Sequence, residues 1–282
     1  MPEFVDDHGV TIVYDVYEAT APRGVVHLLH GVGEHAGRYR HVAEALTDAG
    51  FTVYADDHRG HGRTGMKQHG AGEKLGRLGT GGHRAAVAAA GRMGEIARAE
   101  SPGLPLILFG HSWGSFLAQL LLNEHPDAYD GLVLTGSALR VPGGLNSGDL
   151  NAPWRGRGAH GLEWLSTDPE VWRSFRDDPL TTEVPLARLF GLREAARLFG
   201  RPARGIAATK DVPVLLQVGS EDTVGGPRSV HRLAQAYRER SGFTDVTTRV
   251  YPGARHELHN DDSWPAARAD LIAWLQRRFP EA

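Results

Sequence analysis

Short, unbroken apolar runs recur along this chain with helical segments between them, and that alternation constrains the fold more than any other feature. The runs are GVVHLLH (24–30), FTVYA (51–55), LPLILFG (104–110), GLVLTGS (131–137) and VPVLLQVGS beginning at Val212. Near-continuous Val, Leu and Ile are what strands buried on both faces require, since neither face meets water. VTTRVYPG (246–253) is a further, more polar strand, and TIVYDVYEA near the start alternates as a half-buried antiparallel strand does. Between the runs, RYRHVAEALTDAG (stopped by Gly50), HRAAVAAAGRMGEIARAE, WGSFLAQLLLNEHP, PRSVHRLAQAYRER and WPAARADLIAWLQRRF read as helices. Strand and helix in turn predict an α/β fold with a doubly wound, mostly parallel sheet.

One interval breaks the rhythm. From about Leu139 to Thr209 no buried strand is readable, only short helical patterns such as LEWLS and DPEVWRSF, with Trp154, Trp164 and Trp172 among them. So long a loop without a function is uncommon. We therefore expect a helical cap over the carboxyl ends of the strands, where open α/β sheets bind ligands. The predicted organisation is core (1–138), cap (139–209) and core again (210–282).

The 282 residues carry 31 basic and 34 acidic side chains, well mixed, for a net charge of -3. No basic block suggests nucleic acid or an anionic membrane surface. No apolar run is long enough to span a bilayer, and the N-terminus lacks the pattern of a signal peptide. Cysteine is absent, which excludes disulfides, thiolate metal ligands and a Cys nucleophile. The expectation is a soluble, cytoplasmic protein that acts on a small molecule without stable membrane insertion.

HGVGEHAG (30–37) admits two chemistries. Gly31-Val32-Gly33-Glu34-His35-Ala36 fits G-x-G-x-x-A after a strand, and Asp56 and Asp57 end a second strand, as a dinucleotide site would have it. Alternatively, the loop supplies one amide of an oxyanion hole. The segment LPLILFGHSWGSFLAQLLL bears on the choice, because GHSWG (110–114) sits between a strand and a helix. There, G-x-S-x-G forces Ser112 onto a sharp turn that exposes its hydroxyl above the sheet, with helix amides facing the developing anion. A serine nucleophile needs a base and an orienting acid, which follow it in the order acid, then histidine. Asp222 lies in a turn after one strand and His256 in the loop after the next; Glu221 and His259 compete with them for the two roles.

At these residues the chain resembles the α/β-hydrolase superfamily, and within it the monoacylglycerol lipase and bacterial lysophospholipase-like branch. The resemblance is carried by HGVGEHAGRY (30–39), DDHRGHGRTG (56–65), GHSWG, GLEWLSTDPEVW with DDPL, GSEDTVGG (219–226) and YPGARHELHND (251–261). It implies an α/β-hydrolase fold with the cap inserted after the sixth core strand. It also implies Ser112 as nucleophile, Asp222 as acid, His256 as base, and the amides of Val32 and Trp113 as oxyanion donors. The implied activity is serine carboxylic-ester hydrolysis through an acyl-enzyme, on monoacylglycerol- or lysophospholipid-like monoesters. In this branch the HGVGEHAG glycines serve the oxyanion loop, which displaces the dinucleotide reading.

The chain departs from the branch after the nucleophile. Trp113 and Ser115 stand where methionine and a second glycine are usual, and the cap is rich in Trp and Arg. Trp113, Trp154 and Trp164 are candidate substrate contacts, and Arg155 and Arg157 are candidate partners for the free carboxylate of a small or aromatic half-ester such as a monoalkyl phthalate. A non-catalytic binding protein of the same fold is the remaining alternative, with every implied triad member present against it. No cofactor is expected, and no metal: His58 and His61 lack a dinuclear ligand set, so Asp57, Arg59 and His61 read as loop-stabilising groups.

Overall fold

The apolar runs form the middle of the sheet. The computed structural model describes residues 1–70, 72–146 and 148–281. Its strands are β1 (Glu3–Val5), β2 (Thr11–Tyr17), β3 (Gly24–Leu29), β4 (Phe51–Asp56), β5 (Leu106–His111), β6 (Gly131–Thr135), β7 (Val214–Gly219) and β8 (Val246–Tyr251). They lie in the order β1-β2-β4-β3-β5-β6-β7-β8. β1 and β2 join antiparallel and the others pair parallel, so the α/β-hydrolase architecture is present.

Successive side chains of a strand point to opposite faces, and here each face has its own helical cover. Leu106 and Leu108 of β5 pack into one core with α3 (Gly82–Glu100), α4 (Trp113–Glu124) and α8 (Gly226–Ala236). Ile107 and Phe109 turn to the other, with α1 (Arg40–Asp48) and α9 (Trp264–Arg278). Each such buried aliphatic or aromatic side chain contributes about 1.5–3 kcal/mol from water exclusion. α1 ends where predicted, with Gly50 in the left-handed region (φ 88°) that side chains disfavour.

Two elements leave no periodic pattern in the sequence. β1 pairs with β2 through Glu3↔Val13, a three-residue strand too short and too polar to leave a periodic signal. The glycine-rich stretch after Asp57 is not all loop: Gly62–His69 is helix α2. Its start is fixed by Asp57, which accepts from the Arg63 backbone amide (2.8 Å). Thr64 Oγ1 then accepts from Val13 of β2 (2.9 Å), tying the helix to the sheet.

Between β6 and β7 the chain leaves the sheet and forms α5 (Pro169–Asp177), α6 (Leu186–Phe190) and α7 (Leu192–Ala196). Among the described residues no helix is long and apolar enough to cross a membrane.

Candidate active site

Ser112 ends β5 and begins α4 with φ 50° and ψ -121°, the single non-glycine residue of positive φ among those described. The flanking glycines make that turn sterically open. A Cβ on Gly110 would lie 2.5 Å from the Gly114 carbonyl oxygen, and one on Gly114 would lie 2.1 Å from that of Leu29. Such strain persists only where surrounding structure imposes it, and it collects at functional sites.

His256, in the loop after β8, donates from Nδ1 to Asp222 Oδ2 (3.1 Å), and both side chains are buried. Asp222 Oδ1 accepts from the Val224 amide (2.7 Å), which fixes the carboxylate plane. Burial pulls the imidazole pKa down, but the charge and hydrogen bond of Asp222 outweigh it, so His256 lies above its ordinary value. His256 Nε2 is buried and makes no hydrogen bond in the structure, to Ser112 included. Of the competitors, Glu221 is half-exposed beside Arg255. His259 stacks on Tyr39 (ring centroids 4.3 Å apart), with both ring nitrogens unpartnered.

The loop after β3 is held from both sides. Glu34 accepts from the Gly31 amide (2.7 Å), the Tyr39 hydroxyl (2.7 Å) and Arg38 Nη1 (2.6 Å). Thr182 donates its amide to the Gly33 carbonyl (2.8 Å), so close that a Cβ on Gly33 would strike the Thr182 oxygen at 2.5 Å. Between these ties the Val32 amide makes no protein hydrogen bond, and neither does that of Trp113, among the described residues. Arg38 also grips Glu257, the neighbour of His256, through two bonds (2.8 and 2.7 Å). One buried guanidinium thus joins the Val32 loop to the His256 loop. Burial and the proximity of Glu257 raise the pKa of Glu34 despite Arg38, whereas Arg38 overrides burial and lowers that of Glu257.

His30, His58 and His61 pack beneath that loop. His30 Nε2 accepts from the His58 amide (2.9 Å), so its proton sits on Nδ1 and points to the Gly31 carbonyl (2.7 Å). Asp56 binds His58 (2.7 Å) and Asp57 holds the Ala36 amide (2.9 Å), so neither acid is free for a ribose. Arg59 bonds the Thr80 carbonyl (2.6 Å), and His61 Nδ1 that of Arg59 (2.8 Å).

Ser112, His256, Val32 and Trp113 line one cavity of about 390 Å³, roofed by the β6–β7 segment through Leu162, Trp164, Phe175, Leu186 and Leu198. Trp164 stands against the His256 ring (5.0 Å). Among the described residues the cavity wall includes no lysine or arginine. Trp154 is elsewhere, stacked under Arg255 (4.4 Å), because Arg255 is drawn there by the Glu163 and Ser166 carbonyls (2.8 and 2.9 Å). Arg155 is exposed and paired with Asp149 (2.5 Å), and Arg157 is exposed to solvent. The structure therefore brings neither arginine to the cavity.

The family described as Hydrolase_4, serine aminopeptidase S33, matches residues 20–263. A monoacylglycerol lipase of Mycolicibacterium smegmatis is 34% identical over 95% of this chain and 93% of its own. The chain belongs to the α/β-hydrolase superfamily, in its monoacylglycerol lipase-like branch. It is a carboxylic-ester hydrolase. The human monoglyceride lipase is 27% identical over the whole of this chain and 92% of its own. Among solved structures, a thermostable carboxyl esterase of Bacillus coagulans, in complex with glycerol, superposes with TM-score 0.84 at 25% identity, covering 99% and 98% of the two chains. Sequence reasoning overlooked the bridging role of Arg38. Its only trace was the arginine and two glutamates inside the quoted motifs, which carry no signal of their contact.

Proposed function

We propose that this chain hydrolyses uncharged monoesters of the monoacylglycerol type through a Ser112–His256–Asp222 triad. Ser112 Oγ attacks the ester carbonyl, forming the C–O bond of a tetrahedral intermediate as its proton passes to His256 Nε2. Collapse expels the alcohol, which takes that proton, and leaves an acyl-enzyme. Water, deprotonated by the same nitrogen, then releases the acid and restores Ser112. Asp222 holds the imidazole with Nδ1 protonated and stabilises the imidazolium. The Val32 and Trp113 amides receive the oxyanion, each contributing about 3 kcal/mol.

The observation that carries the reading is the pairing of a buried, Asp222-held imidazole whose Nε2 is free with two free amides around one strained serine. Substrate binding brings the Nε2–Oγ contact into range, as is usual where catalytic hydrogen bonds are long in the free enzyme. Residues 139–209 act as the cap that excludes water. A cavity wall free of Lys and Arg among the described residues favours neutral esters over half-esters with a free carboxylate. An aminopeptidase would need an unpaired acid, yet Glu34 and Glu257 are taken by Arg38, Asp149 by Arg155 and Glu183 by Arg176. The test is kcat/KM over monoacylglycerols, short p-nitrophenyl esters and monoalkyl phthalates, with Ser112→Ala as blank. Turnover of glycerol esters that vanishes in the variant is expected. Equal activity in the variant refutes the triad, and a preference for phthalates refutes the substrate class.

A further inference from the structure

The residue after the nucleophile does more than offer its amide. The Trp113 indole is fully buried. It stacks on His61 (5.0 Å, 29°) and meets His58 edge-on (5.4 Å). It also packs against Phe190 of α6 (5.1 Å) and donates from Nε1 to His83 Nε2 (3.3 Å). His83 is in turn bound through its own amide to Glu194 of α7 (2.9 Å). Burial, aided by the charge of Arg140, lowers the His83 pKa to about 4, so its Nε2 stays an acceptor at neutral pH.

α6 touches the cavity with Leu186 and Ala187 and the indole with Phe190. Cavity and ring are therefore neighbouring compartments under one helix, and Trp113 is the residue of the serine turn that borders both. Resting on the ester-hydrolase reading above, we infer that the Trp113 side chain sets the longest acyl chain this enzyme accepts, by filling the space into which the cavity would otherwise extend beneath α6. A volume of about 390 Å³ holds roughly a dozen heavy atoms at ~30 Å³ each, enough for the octanoyl ester group of a glycerol ester, with the glycerol toward the mouth, and too little for an oleoyl one.

The experiment measures, within each protein, the ratio of kcat/KM for 1-oleoylglycerol to that for 1-octanoylglycerol, both as monomers. The same ratio is taken from Ser112 labelling rates with octadecyl and octyl fluorophosphonates. Being internal to one sample, it is independent of how much of a variant folds. The wild type should favour the octanoyl compounds. Trp113→Ala should raise the ratio at least tenfold, since each additional buried methylene is worth about fourfold. Trp113→Phe should raise it less, and Phe190→Ala, which removes the ring that backs the indole, should move it in the same direction. A wild type that prefers oleoyl, or a ratio unmoved in all three variants, overturns the length limit. Absence of ester turnover and of Ser112 labelling in the wild type would instead refute the underlying hydrolase reading.

Discussion

Replacing Arg38 by methionine should unfold this protein more readily than any other conservative-volume change near the site. The guanidinium makes three hydrogen bonds of 2.6–2.8 Å to Glu34 and Glu257, whose side chains are 3% and 2% exposed. Methionine fills much of the volume but leaves two buried carboxylates facing each other without a cation. Removing one partner of such a cluster costs about 3–5 kcal/mol, because the remaining charge stays buried. The penalty has a pH signature. In the variant the carboxyl pKa values rise above their unfolded values, so the folded state binds the extra proton. The deficit against wild type therefore shrinks as pH falls from 7.5 to 5.5, by up to about 1.4 kcal/mol per pH unit for one proton. Urea unfolding followed by tryptophan fluorescence at both pH values measures this, with Arg38→Met/Glu257→Gln as the control that recovers part of the loss. A deficit under about 1 kcal/mol at pH 7.5, or one that grows on acidification, would refute the reasoning. Activity should fall with it, since a displacement of about 1 Å at the His256 or Val32 loop costs on the order of 100-fold.

Four further outcomes are expected. Ser112→Gly, which relaxes the φ of 50°, should be about 1 kcal/mol more stable than Ser112→Ala in urea, with both inactive; equal stability would deny the strain. The acid limb of kcat/KM should have its midpoint above pH 6.5, because His256 must be neutral to accept a proton and its pKa is raised; a midpoint below 6.5 contradicts the Asp222 contact. Burial holds His61 and His259 near 3, and His30 and His111 well below their ordinary value, so the folded state resists protonation that the unfolded chain accepts. Stability should therefore fall from about pH 6.5 downward, and urea midpoints equal at pH 7 and pH 5 would contradict this. Gly114→Ala, whose Cβ meets the Leu29 carbonyl at 2.1 Å, should yield no soluble folded protein on expression.

Much of the fold was legible because the β3, β5, β6 and β7 strands are buried on both faces and write themselves as unbroken apolar runs. The serine turn was legible for a related reason: its geometry tolerates only glycine at 110 and 114, so the backbone leaves a mark in the sequence. Contacts between distant segments leave none. Arg38 meets Glu257 across 219 positions, and nothing local distinguishes it from a surface arginine. Trp154 and Trp164 look alike in composition, yet Arg255 draws the first away while the second stays against His256. β1 was hidden because three residues cannot show a period.

The way the roof is attached also bears on engineering. The His256 amide bonds the Trp164 carbonyl (3.3 Å) and the Glu257 amide that of Leu165 (2.7 Å), while Ser166 Oγ reaches the Asn260 carbonyl (2.7 Å). The strip around 164–166 is thus an integral support of the His256 loop, although it lies within the inserted segment. A chimaera that exchanges this insertion as a unit would remove that support along with the roof. Crossover points beyond Thr167 spare that strip, but a segment exchanged from α5 to α7 must still supply the Thr182 amide to Gly33 and the Phe190 ring to Trp113.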